Sequence, residues 1–258
     1  MNKRGQITIF IIVGILLLSL IGLLFFLNYQ ALEAEIEETS EVPFDLQPIK
    51  NYVETCIESI GKQGINFVSK QGGYYIIPES NFNNVSYFYY LGEPSITPLS
   101  TIESEMSNYV EDQLSSCLND FKPFKEQGFE ISTGTLNTIT LIREKDVIFN
   151  IDYPIEIKKE ASKTQSNKFS VTVPSSLKKM YDISIEIIEK QEQDPDFILI
   201  SELIDIGDNY NITYNLEEDD FGNVIYSLVD REPIVSEFPE LEPEQEYYQF
   251  AFAVGYSR

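Results

Sequence analysis

The chain has 258 residues, with 18 Lys and Arg against 42 Asp and Glu and no histidine, a formal net charge of −24. Such an acidic balance excludes nucleic acid as a partner, because binding phosphates takes clustered Lys and Arg that displace counterions. The missing imidazole excludes Ser-His-Asp and Cys-His nucleophile systems and histidine zinc sites, while a hydrophobic content of 43 % is that of a folded chain.

Residues 6–27, Gln6 to Leu27, carry no charge, and 22 residues at ~1.5 Å each give roughly 33 Å, enough to cross a hydrocarbon core of ~30 Å. Thr8 and Ser19 can bond back to helix carbonyls. Lys3 and Arg4 precede the run and no basic residue follows it before Lys50, so the positive-inside rule puts the N-terminus in the cytoplasm and the rest outside. The part beyond the run, with 16 basic and all 42 acidic residues, has a charge of −26. A cleaved secretory signal is the rival reading, but its apolar region is shorter. Here Ala31 and Ala34 are also one position too far apart for the Ala-x-Ala pattern, and bulky Leu32 stands where a small residue would pair with Ala34.

Lys3-Arg4-Gly5-Gln6 set directly before the apolar run resembles the class III signal of archaeal type IV pilin-like proteins. In that family a membrane peptidase cuts on the cytoplasmic side, after the small residue. The resemblance implies a processing junction between Gly5 and Gln6, with the whole apolar helix retained. It covers about the first 30 residues. Phe10 departs from the acidic residue typical of bacterial pilins near that place. The layout as a whole also resembles single-span surface proteins of small-genome archaea.

The chain then reads as a cytoplasmic leader (1–5), a transmembrane helix (6–27), a stalk (28–44), a helix-rich membrane-proximal subdomain (45–125) and a mixed α/β ectodomain (126–258). Asn28 to Thr39 holds Tyr29, Leu32, Ala34 and Ile36 among helix formers and ends before Pro43, whose ring disfavours helical geometry in the residue before it. A long N-terminal helix suits both a pilin-type core and a plain stalk.

Ile49, Val53, Cys56, Ile60, Gly64 and Phe67 form a helical stripe closed by Gly72-Gly73. Short strands are expected at Tyr74–Ile77 and Val85–Leu91. Ser100-x-x-Glu103 reads as a capping box opening a second helix with the stripe Ile102, Met106, Tyr109/Val110, Leu114 and Cys117. A subdomain boundary is expected around Lys122-Pro123-Phe124-Lys125. Strands follow at Phe129–Thr133, Thr138–Arg143, Val147–Ile157 and Lys168–Val173.

Pro174-Ser175-Ser176 opens a helix bearing Leu177, Met180, Tyr181, Ser184, Ile187 and Ile188. After Asp194-Pro195 a short helix runs to Ile206. Ile212–Leu216 and Val224–Val229 make a hairpin, residues 240–246 a polar connector, and Tyr247–Val254 a last strand. Helices packed on a mostly antiparallel sheet make the fold class α+β.

Cys56 and Cys117 both fall on apolar helix faces, and an oxidising exterior permits a disulfide that would pin the two helices together; two inert buried thiols are the alternative. Two cysteines without histidine leave a zinc site half unsupplied, so no metal or cofactor is expected. Asn84-Val85-Ser86 and Asn211-Ile212-Thr213 are glycosylation tripeptides. Glu217-Glu218-Asp219-Asp220 and Asp205 to Asp208 offer oxygen ligands for calcium without the spacing of a calcium loop, and read better as solvated turns.

The expectation is a single-pass surface protein of the cell membrane, pilin-like or a structural component of the envelope, and not an enzyme. Its partners are the membrane, further copies through the N-terminal helix, or other envelope proteins. The alternative is a tethered binding or adhesion module using tyrosines such as Tyr87, Tyr89, Tyr90, Tyr247 and Tyr248. An extracellular hydrolase working through carboxylates is the third reading.

Overall fold

The computed structural model describes residues 46–160, 162–195, 197–233 and 247–256. The leader, the Gly5/Gln6 junction, the apolar run, the stalk and the connector 240–246 lie outside the described residues. Among the described residues no helix is long and apolar enough to cross a membrane. Contacts divide the chain between Pro48 and Ile49, and the unit from Ile49 onward holds both sheets. The architecture is α+β.

Helix α1 (Gln47–Ser69) buries Ile49, Val53, Cys56, Ile60 and Gly64 as the spacing predicts. Its buried face continues through Ile65 and Val68, so Phe67 falls on the flank, 44 % exposed, where its ring meets Tyr75 and Tyr109. The helix closes as expected: the Gly73 N–H donates to the Val68 carbonyl at 3.0 Å, with Gly72 and Gly73 at φ +71° and +91°.

The expected strand at Tyr74–Ile77 does not form. Its Tyr75 and Ile76 N–H groups donate instead to the Glu105 carboxylate, both at 2.9 Å, which takes the donors a strand ladder needs. Short β1 (Asn81–Phe82) and β3 (Glu93–Pro94) flank β2 (Val85–Tyr90).

Helix α2 (Leu99–Leu118) starts one residue before the proposed capping box, with Pro98 at the N-cap and no side-chain cap bond. Ser100 is therefore inside the helix, and Glu103 bonds elsewhere. Asn119, Asp120 and Phe121, all with positive φ, lead into the one-turn α3 (Lys122–Lys125).

The second sheet has four strands: β4 (Glu130–Thr133), β5 (Asn137–Ile142), β6 (Asp146–Lys159) and β7 (Ser162–Pro174), with every pairing antiparallel. β7 takes one edge of β6 along its whole length. The other edge is shared end to end, β5 pairing from Val147 to Asp152 and β4 from Ile155 to Lys158. The register slips between Asp152 and Ile155, around Pro154, which has no N–H to give the ladder.

Helix α4 (Leu177–Gln191) buries all six of its predicted core positions. Helix α5 (Ile200–Tyr210) runs four residues past the expected end and stops at Asn211, in left-handed geometry. The first sheet runs β1-β2-β10-β9-β8, with β8 (Ile212–Glu218), β9 (Asn223–Pro233) and β10 (Tyr247–Gly255).

β2 and β10 pair in parallel, whereas the other strand pairs among the described residues are antiparallel. That pairing also shows why the expected boundary near 125 does not separate two bodies: β2 precedes it, β10 follows it, and they are neighbours in one sheet. Rings of Phe88, Phe252 and Tyr226 stack across β2, β10 and β9 with centroids 5.2 Å apart at each step. Lys179 on α4 closes on the buried carboxylate of Asp230 on β9 at 3.0 Å.

Candidate functional site

Cys56 and Cys117 are joined in a disulfide with their Cα atoms 5.7 Å apart, within the ~4.4–6.8 Å that such a bond spans. It ties α1 to the C-terminal turn of α2, as the two apolar stripes predict. One turn before Cys56, the Tyr52 hydroxyl donates to the carbonyls of Cys117 and Leu118 at 3.1 and 3.2 Å. Carbonyls at a helix end have no partner within the helix, so Tyr52 both caps α2 and locks the register of the covalent joint. Tyr52 also meets the rings of Phe121 and Phe124 edge-on.

The same helix holds the second sheet through a side-chain ladder. Glu103 accepts from the Ile142 N–H at 2.9 Å, Ser107 Oγ from the Thr140 N–H at 3.1 Å, and Glu111 from the Thr138 N–H at 2.5 Å. Residues four apart on a helix rise ~6 Å and residues two apart on a strand ~6.8 Å, so one side-chain stripe can follow one strand edge. β5 is an edge strand, and the ladder satisfies N–H groups that would otherwise invite another chain.

The ladder borders a shallow hollow of about 310 Å³ lined by Glu103, Ser107, Glu111, Asn137 and Thr140. Glu103-x-x-x-Ser107-x-x-x-Glu111 is legible as a polar stripe beside the apolar one, a signal the reading of Glu103 as a cap residue passed over.

The acidic runs separate into structural roles. Burial pushes the Asp219 carboxyl up, but hydrogen bonds from the Asn223 side chain and from the N–H groups of Asn223, Phe221 and Gly222 outweigh it and hold the group below the usual carboxylate range. Asp219 thus organises the β8–β9 turn. Asp208 faces Arg231 at 3.9 Å. Among the described residues no three His, Cys, Asp or Glu side chains converge as metal ligands would.

Of the five tyrosines singled out in the sequence, Tyr87, Tyr89 and Tyr248 are buried, while Tyr90 and Tyr247 remain about two-fifths exposed, at 40 % and 41 %. Tyr248 donates to Ser69 Oγ at 2.6 Å and so joins β10 to the end of α1. Asn84 and Asn211 are both exposed, Asn84 in the β1–β2 turn at φ +65° and Asn211 at the end of α5 at φ +54°.

No protein-family model, no curated protein and no solved structure matches this chain.

Proposed function

We propose that this protein is a membrane-anchored surface protein of pilin-like design, held by residues 6–27 with its N-terminus in the cytoplasm and the unit from Ile49 outside the cell. The Cys56–Cys117 disulfide carries the reading: disulfides persist in oxidising compartments, and both cysteines lie on the side of the apolar run that the charge rule sends out. The Lys3-Arg4-Gly5-Gln6 junction set directly before the apolar run supports the pilin-like part. Gly61 lets α1 lie directly on the Phe149 ring of the four-stranded antiparallel sheet, so the unit packs helix on sheet.

In this role the protein is an envelope or filament component, and self-association runs through the apolar N-terminal helix. Intact-mass measurement of the chain from its own membranes tests it. A mature terminus at Gln6 is expected; a chain starting at Met1 or Asn2 removes the pilin-type processing and leaves a plain signal anchor, and a chain beginning beyond Leu27 removes the anchor itself.

A further inference from the structure

We propose that Asn211 carries an N-linked glycan and that Asn84 does not. The inference rests on the extracellular reading above, because the sugar is transferred only to chain that has crossed the membrane.

Both asparagines are exposed and both have left-handed backbone, so neither property separates them. The hydroxyl two residues on does, since the acceptor tripeptide is defined by that Ser or Thr. Ser86 is 5 % exposed. Its N–H donates to the Gln71 carbonyl at 3.2 Å, and its Cβ lies 2.9 Å from where Gly72 would carry a side chain. A transferase that reads Asn84 and Ser86 together must first peel β2 from the turn that ends α1. Thr213 is exposed, on β8, the outermost strand of the first sheet. At 211–213 the acceptor amide and the hydroxyl are exposed together, on the strand that ends the first sheet among the described residues.

The surface beside Asn211 has the character of one that is covered. Phe197, Ile200 and Ile204 are 67 %, 48 % and 52 % exposed. Helical spacing sets Ile200, Ile204 and Asn211 along one side of α5, with Asn211 about two turns beyond Ile204. A hydrophilic oligosaccharide there stands beside both the bare apolar stripe and the edge of β8, two features that otherwise promote association. In the transfer, Asn211 Nδ2 bonds to the anomeric carbon of an oligosaccharide carried on a lipid phosphate. The sugar–phosphate bond breaks, the lipid phosphate leaves as the anion, and Nδ2 gives up one proton.

Non-reducing peptide mass mapping of the full chain from its own cells decides the matter. A sugar mass on the Asn211 peptide with the Asn84 peptide bare is the expected result. A bare Asn211 peptide alongside a linked Cys56–Cys117 pair overturns this inference and leaves the surface reading standing; bare Asn211 with free thiols overturns both. Sugar on Asn84, alone or together with Asn211, overturns the discrimination. Asn211→Asp, which keeps a residue tolerant of left-handed backbone, and Thr213→Ala should each abolish the increment, and Thr213→Ser should keep it. Retention of the increment in either of the first two variants also overturns the proposal.

Discussion

Tyr226 donates to the Tyr256 hydroxyl at 2.6 Å, and Tyr256 donates to Gln191 Oε1 at 2.8 Å. The Gln191 amide then closes on the carbonyls of Asp194 and Phe197, so a chain of side chains carries the core of the first sheet to the end of α4. Burial pushes the Tyr226 phenol up to about 12, against a smaller opposing pull from its hydrogen bond to Tyr256. Burial raises Tyr248 and Tyr256 as well.

A raised phenol keeps its proton longer in the folded chain than in the unfolded one. The stabilisation is complete below the unfolded value near pH 10 and is lost as pH climbs through about 12. Denaturant midpoints of the unit from Ile49 onward should hold from pH 7 to 9 and fall steeply from 10 to 12, with a shallower fall for Tyr226→Phe. An identical slope in the variant contradicts the assignment to this hydroxyl.

None of this chain was readable beforehand: Tyr226, Gln191 and Tyr256 are far apart in sequence, and an alternating strand pattern says only that a tyrosine points inward. Gly61 and Gly64 are similar. A Cβ on Gly61 would lie 2.6 Å from Phe149 and one on Gly64 2.8 Å from Tyr109. Spacing placed Gly64 on the apolar stripe, but periodicity carries no information about which ring presses on it.

Among the elements, α2 shows what patterning captures and what it leaves. Its apolar positions Ile102, Met106, Val110 and Leu114 are fully buried, as a period of 3.6 requires. Its polar positions were open to two readings, and Glu103 went to a strand rather than to its own helix end because the β5 edge offers donors with no other partner. Glu111→Ala or Glu103→Ala should each lower the unit's stability by about 1–3 kcal/mol, the loss expected when a hydrogen bond to a charged acceptor is removed.

Removing both should also free the β5 edge and promote association. Glu103→Gln, which keeps an acceptor, should lose less than Glu103→Ala. Chemical denaturation with size-exclusion measurement reads both effects; a double variant as stable as the parent and no more associated would show that the ladder holds nothing. The strands themselves were largely legible, because β5 and β6 alternate cleanly between buried and open positions. Tyr74–Ile77 was not, since a β-like composition forms no strand when a helix carboxylate takes its donors.

At the scale of the molecule, the link between early and late chain escaped the sequence reading entirely. Parallel pairing of β2 with β10 joins residues more than 150 positions apart, and no local pattern announces a partner at that distance. The disulfide was legible, because two cysteines on two apolar helix stripes leave one pairing. The proposed orientation rests on the same logic: a basic pair before the apolar run, an acidic body after it, and a bond that persists in oxidising compartments.

A membrane-impermeant amine reagent applied to intact cells tests that orientation most directly. The side chains of Lys62, Lys122 and Lys163 are 53 %, 68 % and 59 % exposed. All three should label on intact cells to the same extent as after lysis. Labelling that appears only after lysis, with Cys56 and Cys117 recovered as free thiols, would place the unit on the cytoplasmic side and contradict the account.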